Sequence, residues 1–227
     1  IRLVNWHAGL AWLGDAASVE LRAALAGSAS WHLDHLATRL PWGSQFGHRR
    51  VAHHVGRFVG GLLFRDVAGA RQAWSESAAA LGRELPELCF SDGSPQSGSL
   101  EFALQSAWLG TLAAVVGRAN GVPLPDEARG AISRLSHFVY RIAGESGTLP
   151  PVGATGATLP VDFFPFPLSW SVWNINLALG LIEGEASPNA DIDPRRSWFF
   201  AGTATAAPAS RPGWAMFSFA ADGWVVA

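Results

Sequence analysis

Residues 2–13 read Arg2-Leu3-Val4-Asn5-Trp6-His7-Ala8-Gly9-Leu10-Ala11-Trp12-Leu13, and their apolar members point to the architecture. Leu3, Trp6, Leu10 and Leu13 recur at i, i+3, i+7 and i+10, the spacing that lays one stripe along a helix, and Gly14 supplies the stop. The same period continues outward. Val19, Leu21, Leu25, Leu33, Leu36 and Leu40 predict a second helix, with Asp15 as its cap and Pro41–Gly43 as its end. A third helix is expected from His48 to Phe64, and a fourth, rich in Ala and Glu, from Val67 to Leu88 with Asp66 as its cap. Ser91-Asp92-Gly93-Ser94-Pro95 is a turn by composition. Ser99–Arg118 and Asp126–Ala143 predict two more helices joined through Asn120-Gly121-Val122-Pro123. A Gly-, Pro- and Thr-rich stretch over 144–167 then leads to a last helix, Ser169 to Ile182.

After Pro188 the apolar period changes from helical to two. Ser197–Ala201, Trp214–Ala220 and Trp224–Ala227 are short aromatic runs, with Asp222-Gly223 as a hairpin signal. The change places a domain boundary between 1–187, which is helical, and 188–227, the beginning of a β-sheet domain. Helices of similar length joined by short loops predict antiparallel hairpins in a ring or bundle. With no exact repeat in the sequence, a solenoid is less favoured.

Bulk properties narrow the function classes. The 227 residues are 49% apolar and 15% charged, too hydrophobic for a disordered chain. A net charge of -2 argues against a surface dedicated to nucleic acid or to anionic membrane. All 16 basic residues are Arg, whose planar forks suit carboxylate or sulfate. Cys89 stands alone, which excludes an intrachain disulfide and a Cys-based metal site. No run approaches the roughly 18–20 apolar residues that span a bilayer. The chain opens at Ile1 without a Met and closes at Ala227 inside a strand-like run, so both ends read as cut. A periplasmic or secreted location is the first expectation and a cytoplasmic one the second. Neither a Gly-x-Ser-x-Gly elbow nor a nucleotide-binding fingerprint occurs, and no cofactor is implied.

Several stretches, in order, resemble the heparinase II/III-like polysaccharide lyases. Arg2-Leu3-Val4-Asn5-Trp6 resembles the Arg-x-x-Asn-Trp opening of an early helix in that family. Gly47-His48, running to Gly61-Leu62-Leu63-Phe64, resembles the family's Gly-Asn-His helix. Asp92-Gly93 resembles the start of its Asp-Gly-x-x-x-Glu-x-Ser-x-x-Tyr-His motif. Pro212-Gly213-Trp214-Ala215-Met216-Phe217 resembles the first strands of its C-terminal sheet domain. The resemblance implies a mainly α protein, an incomplete (α/α) toroid followed by the start of an antiparallel β-sandwich. It also implies β-elimination at a uronate, with an acidic polysaccharide or oligosaccharide as partner.

Laid on this chain, the motif departs from the family at the reacting groups. Its Glu position falls on Ser97, its Ser on Ser99, its Tyr on Phe102 and its His on Ala103. In the family the phenol is the group thought to move the proton, and a phenyl ring has none to exchange. The position that neutralises the substrate carboxylate falls on His48, where some alginate lyases of similar fold also carry His. The loop 147–156 resembles the family's Gly-x-x-Pro-x-x-Gly-Asp stretch, with Ala154 at the acidic position.

The catalytic candidates are therefore His48, Glu101 and Tyr140. His48 can donate to a carboxylate or act as base; Glu101, beside Phe102, can supply basicity; Tyr140 is the only tyrosine. The substrate-binding candidates are Arg49, Gln45, Trp42, His53, Ser99 and Phe102. Arg49 offers a bidentate fork, and Trp42 offers a face for a pyranose ring. Arg49 and Arg50, being successive on a helix, cannot both face one cleft. His48, His53 and His54 are spaced five and six apart, unlike an i, i+4 zinc pair, so no metal is expected. Two alternatives stand beside the lyase: a catalytically degenerate glycan-binding relative, and a toroid glycoside hydrolase working with two carboxylates. The scarcity of Asp and Glu in the helical part weighs against the second.

Overall fold

A computed structural model of the chain describes residues 2–39, 47–143, 149–150 and 152–153, together with the backbone of 217–219 and 224–226. The described part is mainly helical. Its helices are α1 (Arg2–Leu13), α2 (Val19–Thr38), α3 (His48–Leu63), α4 (Ala70–Glu84), α5 (Leu100–Ala119) and α6 (Asp126–Ala143). Strands β1 (Phe217–Phe219) and β2 (Trp224–Val226) pair antiparallel, with Ser218 opposite Val225. The expected helix over 169–182, the run 197–201 and the boundary near 188 lie outside the described residues.

Helix ends depart from expectation where local chemistry differs from composition. Asp15 does not cap α2; it sits in a single 3-10 turn, Gly14–Ala16, and Ser18 takes the cap by accepting from the Leu21 N–H at 3.2 Å. Asp66 does not cap α4 either. The chain enters that helix through Gly69 in the left-handed region, with no side-chain cap. The expected end of α4 at Leu88 is shortened because Pro86 lacks the N–H that would continue the helix, and Pro86–Leu88 tightens to 3-10. Ser99 lies just outside α5 as its N-cap, with its hydroxyl accepting from the Phe102 N–H at 3.3 Å.

Cross-helix contacts fix the directions. Gly61 meets Ala70 and Trp74, Arg57 meets Glu76, and Arg50 meets Glu84, so α3 and α4 are antiparallel. His48 meets Phe102 and Phe58 meets Gly117, so α3 and α5 run parallel. Gly110 meets Ile132, while Leu100 and Leu104 cluster with Phe138 and Val139, so α6 runs back along α5. Parallel α3 and α5 thus carry α4 and α6 as returning partners, with α2 antiparallel to α3 through Leu33 against Gly60 and Leu36 against Gly56. The main core fills the seam between these helices with Val51, Val55, Phe58, Val59 and Leu62 of α3, Leu81 of α4 and Leu112 of α5. Burying each such large side chain contributes about 1.5–3 kcal/mol. A second cluster, from Leu100 to Ala107 and from Ala131 to Val139, joins α5 to α6. In contrast, α1 buries only Leu3, and Trp12 and Val19 at the far end of the α1–α2 hairpin stay exposed.

The Asp92-Gly93 turn has a structural duty of its own. Asp92 Oδ1 accepts from the Ser94 N–H at 3.0 Å and from the Ser94 hydroxyl at 2.7 Å, which locks the turn. Gly93, at φ 88°, lies under α6 so closely that a Cβ would collide with the Arg134 carbonyl oxygen. Gly69 has a similar φ of 77° but open space around it. Gly93→Ala should therefore destabilise by about 3 kcal/mol or more, combining a backbone clash with left-handed strain, and Gly69→Ala by about 1–2 kcal/mol from strain alone. Thermal or urea melts of the two variants check this; equal losses would show that the turn is not wedged against α6.

Candidate functional site

Parallel alignment of α3 and α5 places both N-termini at one end of the helical body. His48 is the first residue of α3 and Phe102 lies in the first turn of α5. Their rings stack with centroids 3.9 Å apart and planes at 13°. The two positions that the sequence singles out, 54 residues apart in the chain, are thus in face-to-face contact. Gly47 makes this entry workable: it adopts φ 72° at the N-cap, with the Leu88 side chain 3.2 Å from where a Cβ would stand.

The His48 imidazole is half-buried, and its Nδ1 is shut off from water with no hydrogen-bond partner among the described residues. Burial, with the Arg49 charge beside it, holds the ring below its ordinary range. It is therefore neutral near pH 7, with one donor to offer an anion. Arg49 is exposed at the same helix start. Arg50 is not available in the same way, because it ion-pairs with Glu84 across the α3–α4 seam. Both arginines reach solvent, and Arg49 is the one with no ion pair among the described residues.

The start of α5 is covered by a short segment from farther along the chain. The Leu100 N–H donates to the Val152 carbonyl at 3.3 Å, and a Cβ on Gly153 would come within 2.6 Å of the Gly98 carbonyl. Leu149, Val152 and Tyr140 pack on the same α5–α6 cluster. Glu101 is half-exposed in the first turn of α5, next to Phe102. Tyr140 is half-buried on the last turns of α6, which return to this end. His48, Glu101, Phe102, Tyr140 and the 149–153 segment thus share one end of the helices, and the ring stack joins two of them directly.

The remaining candidates are placed differently. Ser99 is 1% exposed and its hydroxyl caps α5, so it holds Glu101 and Phe102 in position. Trp42 and Gln45 lie outside the described residues. His53 is buried on another face of α3, about 140° around the helix from His48. There it hydrogen-bonds the backbone of Leu36 and meets His54 edge-on at 5.4 Å.

A buried polar cluster adjoins His53, and the sequence reading did not isolate it. Glu84 on α4 accepts from Arg50 and lies 3.4 Å from His54 Nε2, while Arg57 pairs with Glu76 at 2.8 Å. The signal was present as Arg50, His54 and Arg57 at i, i+4 and i+7, which puts three basic groups on one stripe of α3. Glu76 and Glu84, eight apart on α4, meet that stripe. Among the described residues no group of three or more His, Cys, Asp or Glu has the geometry to hold a metal ion. Among the described residues one helix, Leu100–Ala119, is long and apolar enough to cross a membrane; 67% of its apolar window is buried by its neighbours. Compared with protein-family models, curated proteins and solved structures, the chain matches none.

Burial, with His54 and Arg57 close by, pulls His53 down to about 4, against the partial support of the Leu36 backbone and Glu84. In the unfolded chain the same ring protonates near its ordinary 6.5. The unfolded state therefore binds the extra proton first, and stability present above pH 6.5 is lost as the pH falls towards 4. Allowing for solvent screening, the expected loss is about 1–2 kcal/mol. Urea midpoints of the wild type should fall between pH 7 and pH 4.5 by more than those of His53→Gln; parallel pH profiles would remove His53 as the cause.

Proposed function

We propose that this chain belongs to a heparinase-like carbohydrate-active protein that binds a uronate-containing acidic glycan and cleaves it by β-elimination. In this reading the helices form part of an (α/α) toroid, and the β1–β2 pair starts an antiparallel β-sandwich. The observation that carries the proposal is the His48–Phe102 stack, because it unites the two positions which the sequence resemblance assigns to carboxylate neutralisation and proton transfer. Parallel α3 and α5 with returning α4 and α6 fit the hairpin arrangement of such a toroid. Two helix N-termini and the exposed Arg49 at this end favour a bound anion.

The chemistry follows from what these groups can exchange. A uronate carboxylate seated at the α3 start accepts from the His48 imidazole and from Arg49, which withdraws charge and acidifies the proton at C5. A base removes that proton, the C4–O4 bond breaks, a C4=C5 double bond forms, and the departing oxygen takes up a proton. Phe102 can do neither proton step, so the base would be Glu101, Tyr140 or a group of the β-sheet domain. A second reading is favoured by the same phenyl ring: the pocket binds the glycan and does not turn it over.

Incubating the full-length protein with heparan and alginate, and following ultraviolet absorbance of the unsaturated product, separates these readings. The lyase reading expects a signal that His48→Ala abolishes and that Phe102→Tyr raises on the order of 100-fold, the scale of one well-placed acid–base group. Binding without any ultraviolet gain, including in Phe102→Tyr, supports the non-catalytic reading; a gain in reducing ends alone indicates hydrolysis.

Carboxylate binding should also be linked to protonation of His48. The ring is neutral at pH 7, and an adjacent anion raises its affinity for a proton. Uronate oligosaccharides should therefore bind more tightly as the pH falls from 7.5 to 5.5, by up to about tenfold per unit. Calorimetry in buffers of different ionisation enthalpy should show proton uptake that vanishes in His48→Ala; pH-independent binding would exclude the imidazole as the carboxylate's partner.

A further inference from the structure

A second concave site lies on the other side of α3, where α2, α3 and the start of α4 enclose about 590 Å³. It is lined by Ser30, Trp31 and Asp34 of α2, Arg57 of α3, and Gly69 and Gln72 at the start of α4. Arg57 is nine residues along α3 from His48, about 14 Å in rise and about 180° around the helix, so this cavity is separate from the His48–Phe102 end.

The lining has an unusual balance for a surface hollow. Trp31 is a large aromatic ring left 61% exposed, and it is braced by His35, which stacks on it at 5.3 Å and 23°. Leaving an indole in water forfeits the burial that normally accounts for a tryptophan. Around it stand a carboxylate, an amide and a guanidinium. Arg57 is 8% exposed, tied to Glu76 through one terminal nitrogen, and its Nε is buried without a partner among the described residues. Gly69 and neighbouring alanines keep the floor open. Arg57, the arginine of the lining, is already paired with Glu76, and Asp34 adds a negative charge, so the hollow is not built for an anion.

We propose that this cavity is an accessory binding site for a neutral pyranose unit of a glycan. The C–H face of a sugar ring would lie on the Trp31 indole, and vicinal hydroxyls would donate to Asp34 and accept from Gln72 and Arg57. That combination of one aromatic surface with bidentate polar groups matches a polyol that is apolar on one face and hydrogen-bonding at its rim. The assignment rests on this cavity alone and does not require catalysis at His48.

The full-length protein is titrated with methyl β-glucopyranoside, methyl α-mannopyranoside and cellotriose by saturation-transfer NMR and calorimetry, with an alginate trisaccharide as the acidic comparison. At least one neutral sugar should bind with a Kd on the order of millimolar. Trp31→Ala and Asp34→Asn should each weaken it roughly tenfold or more, whereas Trp31→Phe retains most of it and His48→Ala leaves it unchanged. Trp31 and Asp34 are exposed, so these variants keep the fold, and circular dichroism with a melt verifies that. Absence of saturable binding by all three neutral sugars overturns the proposal, as does binding that is indifferent to Trp31→Ala and Asp34→Asn. Binding of the alginate trisaccharide that depends on Trp31 but not on His48 also overturns it, by making this the acidic site.

Discussion

The α3–α5 contact governs the rest of the arrangement. Phe58, fully buried, points its ring edge at Gly117, where an added Cβ would stand 3.0 Å from Cζ. At the other end of the same seam His48 lies flat on Phe102. Between these points Val51, Val55 and Val59 pack into the core beside Leu109, Leu112 and Ala113. Two helices fixed at both ends of a shared apolar seam have one register available, since sliding by a turn would drive Phe58 into side chains instead of a glycine notch. That register makes the candidate site: without it, two residues 54 apart in sequence have no reason to meet.

The polar cluster on the next face of α3 shows what the same helix costs to bury. Arg50, His54 and Arg57 turn towards α4, and Glu84 and Glu76 meet them. Glu84 is 7% exposed and its charge is met by Arg50, with His54, held neutral by burial, beside it; its Oε2 and the His54 Nδ1 remain without partners among the described residues. Each ion pair sets one buried group against a half-exposed partner, so it adds little net stability, but removing the exposed member leaves a buried charge uncompensated. Their effect here is directional: the stripe can face only the helix that carries the two glutamates. Charge matching thus selects α4 as the partner on this side, and apolar packing selects α5 on the other.

How much of this was legible in the sequence differs by element. The period of apolar residues located all six described helices, and the bounds of α6 agree at both ends, because strongly periodic segments carry their own signal. Caps were less legible. Asp15 and Asp66 have the right chemistry for N-caps, but Ser18 and Gly69 stand at the position from which the first turn is entered, and register decides a cap more than residue type does. At the candidate site, His48 stood out by its chemistry at a helix start, but its pairing with Phe102 came only through a resemblance, since nothing in local spacing links residues so far apart. The stripe Arg50, His54, Arg57 was readable from spacing alone. The nearby cluster His48, His53 and His54 masks it, since those three residues lie on three different faces of the helix.

Phe102 is where scaffold and chemistry come apart. A phenol and a phenyl occupy nearly the same volume, so stacking on His48 and the packing of the first turn of α5 are served by either ring. The hydroxyl therefore matters little to this packing and would matter only to proton transfer. The phenyl ring of Phe102 is by itself enough to make the contact with His48. This end also carries the features suited to an anion: a neutral imidazole with one donor, an exposed arginine and two helix starts. What the ring alone cannot supply is the proton acceptor, which in the proposed reading would be Glu101, Tyr140 or a group of the β-sheet domain. Under the proposed reading, turnover of a uronate would then depend on which group beside the His48–Phe102 pair takes up the proton.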